Sequence, residues 1–156
     1  MGVTLRPLRT DEFATWLPST RDAYARDLEV NGGLSKDEAQ RKANADTEHL
    51  FPGGAPSSDQ LVFVIEADGE DVGRLWVAER ETDFGRSSLW IYDIHVKEAY
   101  RGHGYGREAM LFAEEEARRR GLDRVALNVF GGNKVARGLY HSLDYKENAV
   151  VMSKRV

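Results

Sequence analysis

Tyr92-Asp93-Ile94-His95-Val96-Lys97-Glu98-Ala99-Tyr100-Arg101-Gly102-His103-Gly104-Tyr105-Gly106-Arg107 decides how this chain reads. A strand-like run passes through a short polar loop into glycines at three alternate positions, and the last of them opens into a long helical pattern. Such a turn aims several backbone N–H groups at one spot, and the helix N-terminus adds partial positive charge there, so a phosphate or pyrophosphate could be held without side chains. Arg101 and Arg107 flank the turn and could add charge-assisted bonds to the same anion. A plain tight turn is the rival explanation of the glycines alone. Gly104, Gly106 and Ala109 also satisfy a dinucleotide fingerprint, but Lys97 and Glu98 separate strand from glycines, the motif lies late in the chain, and the next strand ends in Asn128-Val129 without a carboxylate for a ribose. No Gly-Lys-Ser/Thr follows, which removes a Walker loop.

Upstream, Ser88 to Val96 is a strand whose near-continuous apolar run (Leu89, Trp90, Ile91, Tyr92, Ile94, Val96) predicts burial on both faces. Before it, Gln60 to Ala67 and Asp71 to Ala78 bracket Asp68-Gly69 and read as a hairpin. The chain opens with a short strand, Val3 to Leu8, and a helix capped at Thr10 that reaches about Tyr24. Asn31-Gly32-Gly33 breaks it, and the capping box Ser35-Lys36-Asp37-Glu38 starts a second helix ending near Leu50. Pro52 to Ser58 is a surface loop. Downstream, Gly104 to Arg120 is a helix with Ala109, Phe112, Ala113 and Ala117 on one face and three Glu four residues ahead of three Arg, stopped by Gly121. Arg124 to Val129 is a strand, Asn133 to Leu143 a helix, and Tyr145 with Val150 to Lys154 the closing strands. The order β-α-α-β-β-β-α-β-α-β predicts an α/β fold, a mixed sheet with helices packed on it, in one domain spanning residues 1–156.

The 156 residues suit one core, with 22 Lys and Arg against 26 Asp and Glu for a net charge of −4, which disfavours general nucleic-acid binding. Most of the excess negative charge falls in residues 1–59, with 7 basic and 10 acidic side chains, whereas Lys97 to Arg124 has 7 basic and 6 acidic. With 0 Cys, disulfides, thiolate metal sites and a cysteine-borne covalent intermediate are all excluded. The four His (His49, His95, His103, His141) have no ligand spacing, so no metal site is expected. No export signal or membrane-spanning run is readable, the longest apolar run being Leu61 to Ile65, so a cytoplasmic protein without membrane contact is the expectation.

At the glycine turn the chain resembles the GNAT N-acetyltransferase superfamily. Its signature, Arg or Gln, two residues, Gly, one residue, Gly or Ala, is matched by Arg101, Gly104 and Gly106, and a second block by Leu127-Asn128-Val129, Asn133, Ala136, Leu139-Tyr140 and Tyr145. Asp144 stands where the family usually has Gly; because Asp tolerates left-handed backbone, a helix-ending turn of similar shape is expected. The resemblance implies an acyl-CoA N-acyltransferase fold and an acetyl-CoA-dependent enzyme. In it, Arg101, Gly102, His103, Gly104, Tyr105, Gly106 and Arg107 would bind the pyrophosphate. Ile94, His95 and Val96 would hold the pantetheine arm by main-chain bonds, and Asn133 and Tyr140 would also touch the cofactor. Direct attack of a primary amine on the thioester, in a ternary complex, would follow.

Tyr140 is then the candidate donor of a proton to the departing sulfur. For the general base, Asp93 ranks first, because a carboxylate among Trp90, Ile91, Tyr92 and Ile94 is costly unless it has a task or a partner. His95 ranks second on its accessible pKa, and a water chain would serve as well. The acceptor, a small molecule or a protein amino group, would meet roughly Tyr24 to Leu34 with Trp76 and Tyr92, and the local acidity suits a cationic amine. A homodimer is compatible with this reading. The rival from another class is a non-catalytic acyl-CoA-binding or sensing domain.

Overall fold

The computed structural model describes residues 2–81 and 85–156. One five-stranded sheet runs in the order β1-β2-β3-β4-β5, comprising β1 (Val3–Pro7), β2 (Leu61–Ala67), β3 (Glu70–Glu81), β4 (Ser87–Val96) and β5 (Val125–Leu127). Neighbours are antiparallel except the β4/β5 pair, which is parallel, so the expected mixed α/β architecture stands. Helices α1 (Thr10–Val30) and α2 (Lys36–Leu50) cover one face, and α3 (Tyr105–Arg119) covers the other, with α4 (Lys134–Ser142) beside it. No helix among the described residues is long and apolar enough to cross a membrane.

Local chemistry explains most element boundaries. The β2/β3 hairpin turns on Asp68 and Gly69, both left-handed at φ 51° and 80°. The Ser35 hydroxyl accepts from the Glu38 N–H (3.2 Å) while the Glu38 carboxylate accepts from the Ser35 N–H (2.9 Å), which is the expected capping box. At the start of α1 the cap position falls to Arg9 rather than Thr10, and Glu12 accepts from the Arg9 N–H and from the Arg6 guanidinium, which hold its carboxyl down to about 2. Helix α1 also outruns the predicted end at Tyr24 by six residues, because Ala25 and Leu28 bury against Ala39 and Ala43 of α2. The glutamates and arginines of α3 pair chiefly at i,i+3 (Glu115–Arg118, Glu116–Arg119), with Glu116–Arg120 the one i,i+4 contact.

The core divides by face. Val72, Leu75, Val77, Leu89 and Ile91 pack on Ala109, Met110, Ala113 and Ala117 of α3, and all nine are at most 4% exposed. The opposite face is aromatic: Phe13, Trp16 and Phe51 close edge-to-face around Trp76, which stacks on Tyr92 at 4.7 Å.

Two sequence expectations fail at the C-terminal side. Strand β5 is three residues long instead of spanning Arg124 to Val129, and Tyr145 and Val150 to Lys154 form no strand, so the observed order ends at α4. A closing strand would need a ladder along β5, and three residues give it almost none. Glu147 is instead drawn to α4 by Arg137 and His141 (3.3 Å), which leaves Val150, Val151 and Met152 at 71%, 97% and 88% exposure.

Candidate active site

Past β4 the chain makes one 3₁₀ turn, Glu98–Tyr100, and enters the glycines. Gly102 and Gly104 sit at φ 80° and 82°, where a side chain would be strained whatever the surrounding space. Among the described residues, the N–H groups of residues 102–107 meet no backbone or side-chain acceptor, so six donors at the head of α3 are available to one ligand. His103 locks the turn: its Nδ1 lies 3.0 Å from the carbonyls of both Tyr100 and Arg101, so that nitrogen carries the proton, and its ring stacks on Tyr105. Arg101 donates from Nε to the Val96 carbonyl (3.0 Å), and Arg107 donates to the Ser142 hydroxyl (2.6 Å), which places both cations beside the cradle. At Gly106 an added Cβ would make only ordinary contacts, at 3.6 Å from Leu139 and 3.8 Å from Val96.

Two irregularities of β4 shape the neighbouring floor. Its parallel pairing with β5 runs from Leu89↔Val125 to Ile91↔Leu127 and then stops, so the β5-side edge of residues 92–96 has no ladder partner. On the other side a bulge opposes Trp76 and Val77 to Asp93 and Ile91, making Tyr92 the extra residue. Ile91 and Ile94 keep to the α3 side, whereas Tyr92 stacks on Trp76 and Asp93 stands across from Trp76, so both face α1 and α2. Asp93 is half-buried. Burial pushes its carboxyl up to about 6, with a contribution from the negative charge of Asp27, and the Ile94 N–H works in the opposite sense.

Tyr140, on α4, packs at the edge of the α3-side core and walls the cavity along β5. Burial, and then the charge of Asp93, push its phenol up to about 12, so it is a protonated donor at neutral pH. Helix α4 ends as expected, with Asp144 left-handed at φ 67° and the Tyr145 N–H returning to the Tyr140 carbonyl at 3.0 Å. Asn133 caps α4, its Oδ1 accepting from the Ala136 N–H at 3.2 Å. His95 lies toward the turn, where partial burial and the cations Arg101, Arg74 and Lys97 push its pKa down. The structure thus sets Tyr140 where it feels the charge of Asp93 and gives His95 a cationic setting instead.

Tyr24, Asp27 and Asn31 fall in the Tyr24 to Leu34 stretch that the resemblance assigns to the acceptor, whereas Phe130 has no distinguishing pattern in the sequence. Tyr24 donates its hydroxyl to Asp46 of α2 at 2.9 Å, and Asp27 follows one turn later on α1. Asn31 then packs its Oδ1 against Gly132, 3.2 Å from where a Cβ would stand, which ties the end of α1 to the loop after β5. Phe130 of that loop packs in the Ala25, Leu28, Ala39, Ala43 cluster. A cavity of about 1550 Å³ lies along the outer side of β5, walled by Phe130, Tyr140 and the C-terminal segment; neither Asp93 nor the glycine turn lines it. Among the described residues no group of His, Asp or Glu could hold a metal ion.

The model of the acetyltransferase (GNAT) family matches residues 17–145. The uncharacterized N-acetyltransferase YycN of Bacillus subtilis is 31% identical over 157 residues, covering 100% of both chains. The uncharacterized N-acetyltransferase YdgE of the same organism is 29% identical, covering 100% of this chain and 99% of its own. The crystal structure of YycN superposes with a TM-score of 0.88 at 30% identity, over 99% of this chain and 98% of that one.

Proposed function

This chain belongs to the acetyltransferase (GNAT) family, and from that premise we propose that it transfers the acetyl group of acetyl-CoA to a primary amine by direct attack in a ternary complex. The observation that carries the reading is the turn itself, whose unpaired N–H groups, left-handed glycines and flanking arginines fit a pyrophosphate. The unladdered edge of β4 fits a pantetheine arm, whose amides would bond to the main chain of Ile94, His95 and Val96. Acetyl-CoA supplies the activated thioester. Arg101 and Arg107 would offset its phosphates, and Asn133 lies at the start of the helix carrying Tyr140.

The remaining chemistry is the protein's. An amine at neutral pH arrives protonated and must lose that proton; Asp93, with its carboxyl near 6, is mostly ionised at pH 7 and is the base. Tyr140 holds the proton that the departing sulfur requires. With 0 Cys in the chain, no thiol can carry the acetyl group between donor and acceptor. His95 serves the cofactor strand, since partial burial and its setting of three cations disfavour a further positive charge.

A thermal-shift series tests the reading. Acetyl-CoA should raise the melting temperature while ATP and NAD do not, because only a ligand of the native state stabilises by mass action. No shift with acetyl-CoA would remove the assignment. A shift without thiol release across a panel of amines would leave a binding domain rather than an enzyme.

A further inference from the structure

We infer that Arg80, seated on Trp90, selects the acceptor: the substrate is an amine that carries a carboxylate or phosphate several bonds from its reacting nitrogen, and Arg80 with Arg124 holds that anion. The inference rests on the acetyl-transfer reading of the site and names the substrate class for it.

Strand pairing sets the two cations in one row. Leu89 and Val125 pack on the α3 side, so by alternation Ser88, Trp90, Arg124 and Ala126 point to the α1 face. Arg80 pairs with Ser88 across β3 and β4, and the Leu89 N–H donates to the Arg124 carbonyl at 2.9 Å. The Arg80 guanidinium lies over the Trp90 ring, 4.2 Å from its centroid. Between the two arginines stands Ser88, a small, fully buried side chain whose hydroxyl donates to the Arg80 carbonyl at 3.2 Å. Helix α1 has ended at Val30, and this end of the face is the wall of the 1550 Å³ cavity, which Arg80, Trp90 and Arg124 line together with Asn31 and Tyr140.

Among the described residues no carboxylate pairs with Arg80 or Arg124, and Nε of Arg124 is buried without a partner. The neighbouring arginines are engaged: Arg118 on Glu115, Arg120 on Glu116, Arg137 on Glu147. A buried N–H with nothing to donate to is costly, and a guanidinium stacked on an indole keeps its in-plane donors open to an acceptor. Carboxylate and phosphate oxygens match that fork, and they supply the negative charge that this row lacks. The cavity exceeds the roughly 300–1,000 Å³ of an ordinary small-ligand pocket, which leaves room for an elongated acceptor with one end at Tyr140. Trp90 precedes Asp93 by three residues of β4, which at about 3.3 Å per residue sets the anion roughly 8–10 Å from the base, or about six to eight bonds of an extended acceptor. An α-amino acid is too short to meet both ends.

The test uses hexylamine, β-alanine, ε-aminocaproate and aminohexyl phosphate as acceptors at saturating acetyl-CoA, with thiol release as the readout. Hexylamine and ε-aminocaproate have nearly the same reach and differ by the carboxylate. At least one of the two long anionic acceptors should show kcat/KM about tenfold above hexylamine, and β-alanine should fall below both. Whichever of the two is preferred identifies the anion as carboxylate or phosphate. Arg80→Gln should raise KM for that acceptor about tenfold and remove its advantage over hexylamine, with the melting temperature and the Kd for acetyl-CoA unchanged. Arg80→Lys, which keeps the charge without the planar fork, should recover only part of the loss. Hexylamine used as well as both long anionic acceptors, β-alanine used as well as ε-aminocaproate, an advantage that survives Arg80→Gln, or bound acetyl-CoA with none of the four acetylated would overturn the inference and leave the cofactor assignment standing. Failure of acetyl-CoA to bind would bring down the functional reading beneath it.

Discussion

The glycine turn follows β4 by a few residues, the acidic floor includes Asp93 of β4 itself, and the two are built on opposite terms. The turn, Arg101 to Arg107, is contiguous and works through backbone: left-handed glycines free the N–H groups, and side chains contribute little beyond two flanking charges. The floor is assembled from α1, α2, β4 and α4, and works through side chains that the backbone only aims. A backbone cradle suits a ligand common to a whole family, whereas a floor of scattered carboxylates and rings can differ from one chain to the next without disturbing the sheet.

That contrast can be broken most sharply at Asp93. Asp93→Asn should lower kcat/KM by about 10²–10⁴ while leaving acetyl-CoA affinity unchanged, since the side chain belongs to the floor alone. In the parent, kcat/KM should rise with pH through about 6 as the carboxyl ionises, and that limb should vanish in the variant. The sign for stability is the reverse. A carboxyl raised from 3.8 to about 6 in the folded state makes folding less favourable as pH climbs through that window, so Asp93→Asn should be more stable than the parent at pH 7, by up to about 3 kcal/mol and with a higher melting temperature, and lose the advantage near pH 3. A lower melting temperature at pH 7 would mean that Asp93 has a stabilising partner.

Tyr140→Phe should cost about 10² in kcat with little change in the Kd for acetyl-CoA; equal turnover would remove the phenol from the chemistry. The turn answers to the opposite change. Gly104→Ala forces a Cβ into left-handed backbone, at a cost of about 1–2 kcal/mol, and should weaken acetyl-CoA roughly tenfold with the acceptor KM unmoved. The smallest effect is expected from Arg101→Ala, a loss of a few-fold in acetyl-CoA affinity that shrinks further at high salt, because backbone donors carry most of the grip. If Arg101→Ala exceeded Gly104→Ala, the turn would be a side-chain site after all.

The same contrast explains what could be read beforehand. The turn was legible because glycine spacing, the preceding strand and the following helix are local, and Arg101, Gly104 and Gly106 state the geometry outright. The capping box of α2 and the Asp68-Gly69 hairpin are local in the same way. Asp93 stood out because a carboxylate interrupts an apolar strand, but the bulge that aims it depends on pairing with β3 and leaves no mark in the one-dimensional pattern. The last six residues of α1 were hidden for a different reason. They lie beyond the point where helical patterning in α1 fades, in a stretch held helical by Ala25 and Leu28 packing on α2. The missing closing strand has the same origin: Val150 to Met152 carry strand character, yet a strand needs an edge, and β5 offers three residues while Arg137 and His141 hold Glu147 at α4.

The claim that both regions serve one reaction is tested most directly by incubating the protein with acetyl-CoA and a library of amines, and following free thiol and acetylated amine together. The account predicts thiol release that depends on the amine and matches, mole for mole, the appearance of its N-acetyl product. Thiol release indifferent to the amine, or acetyl-CoA bound with no product from any amine, would contradict it.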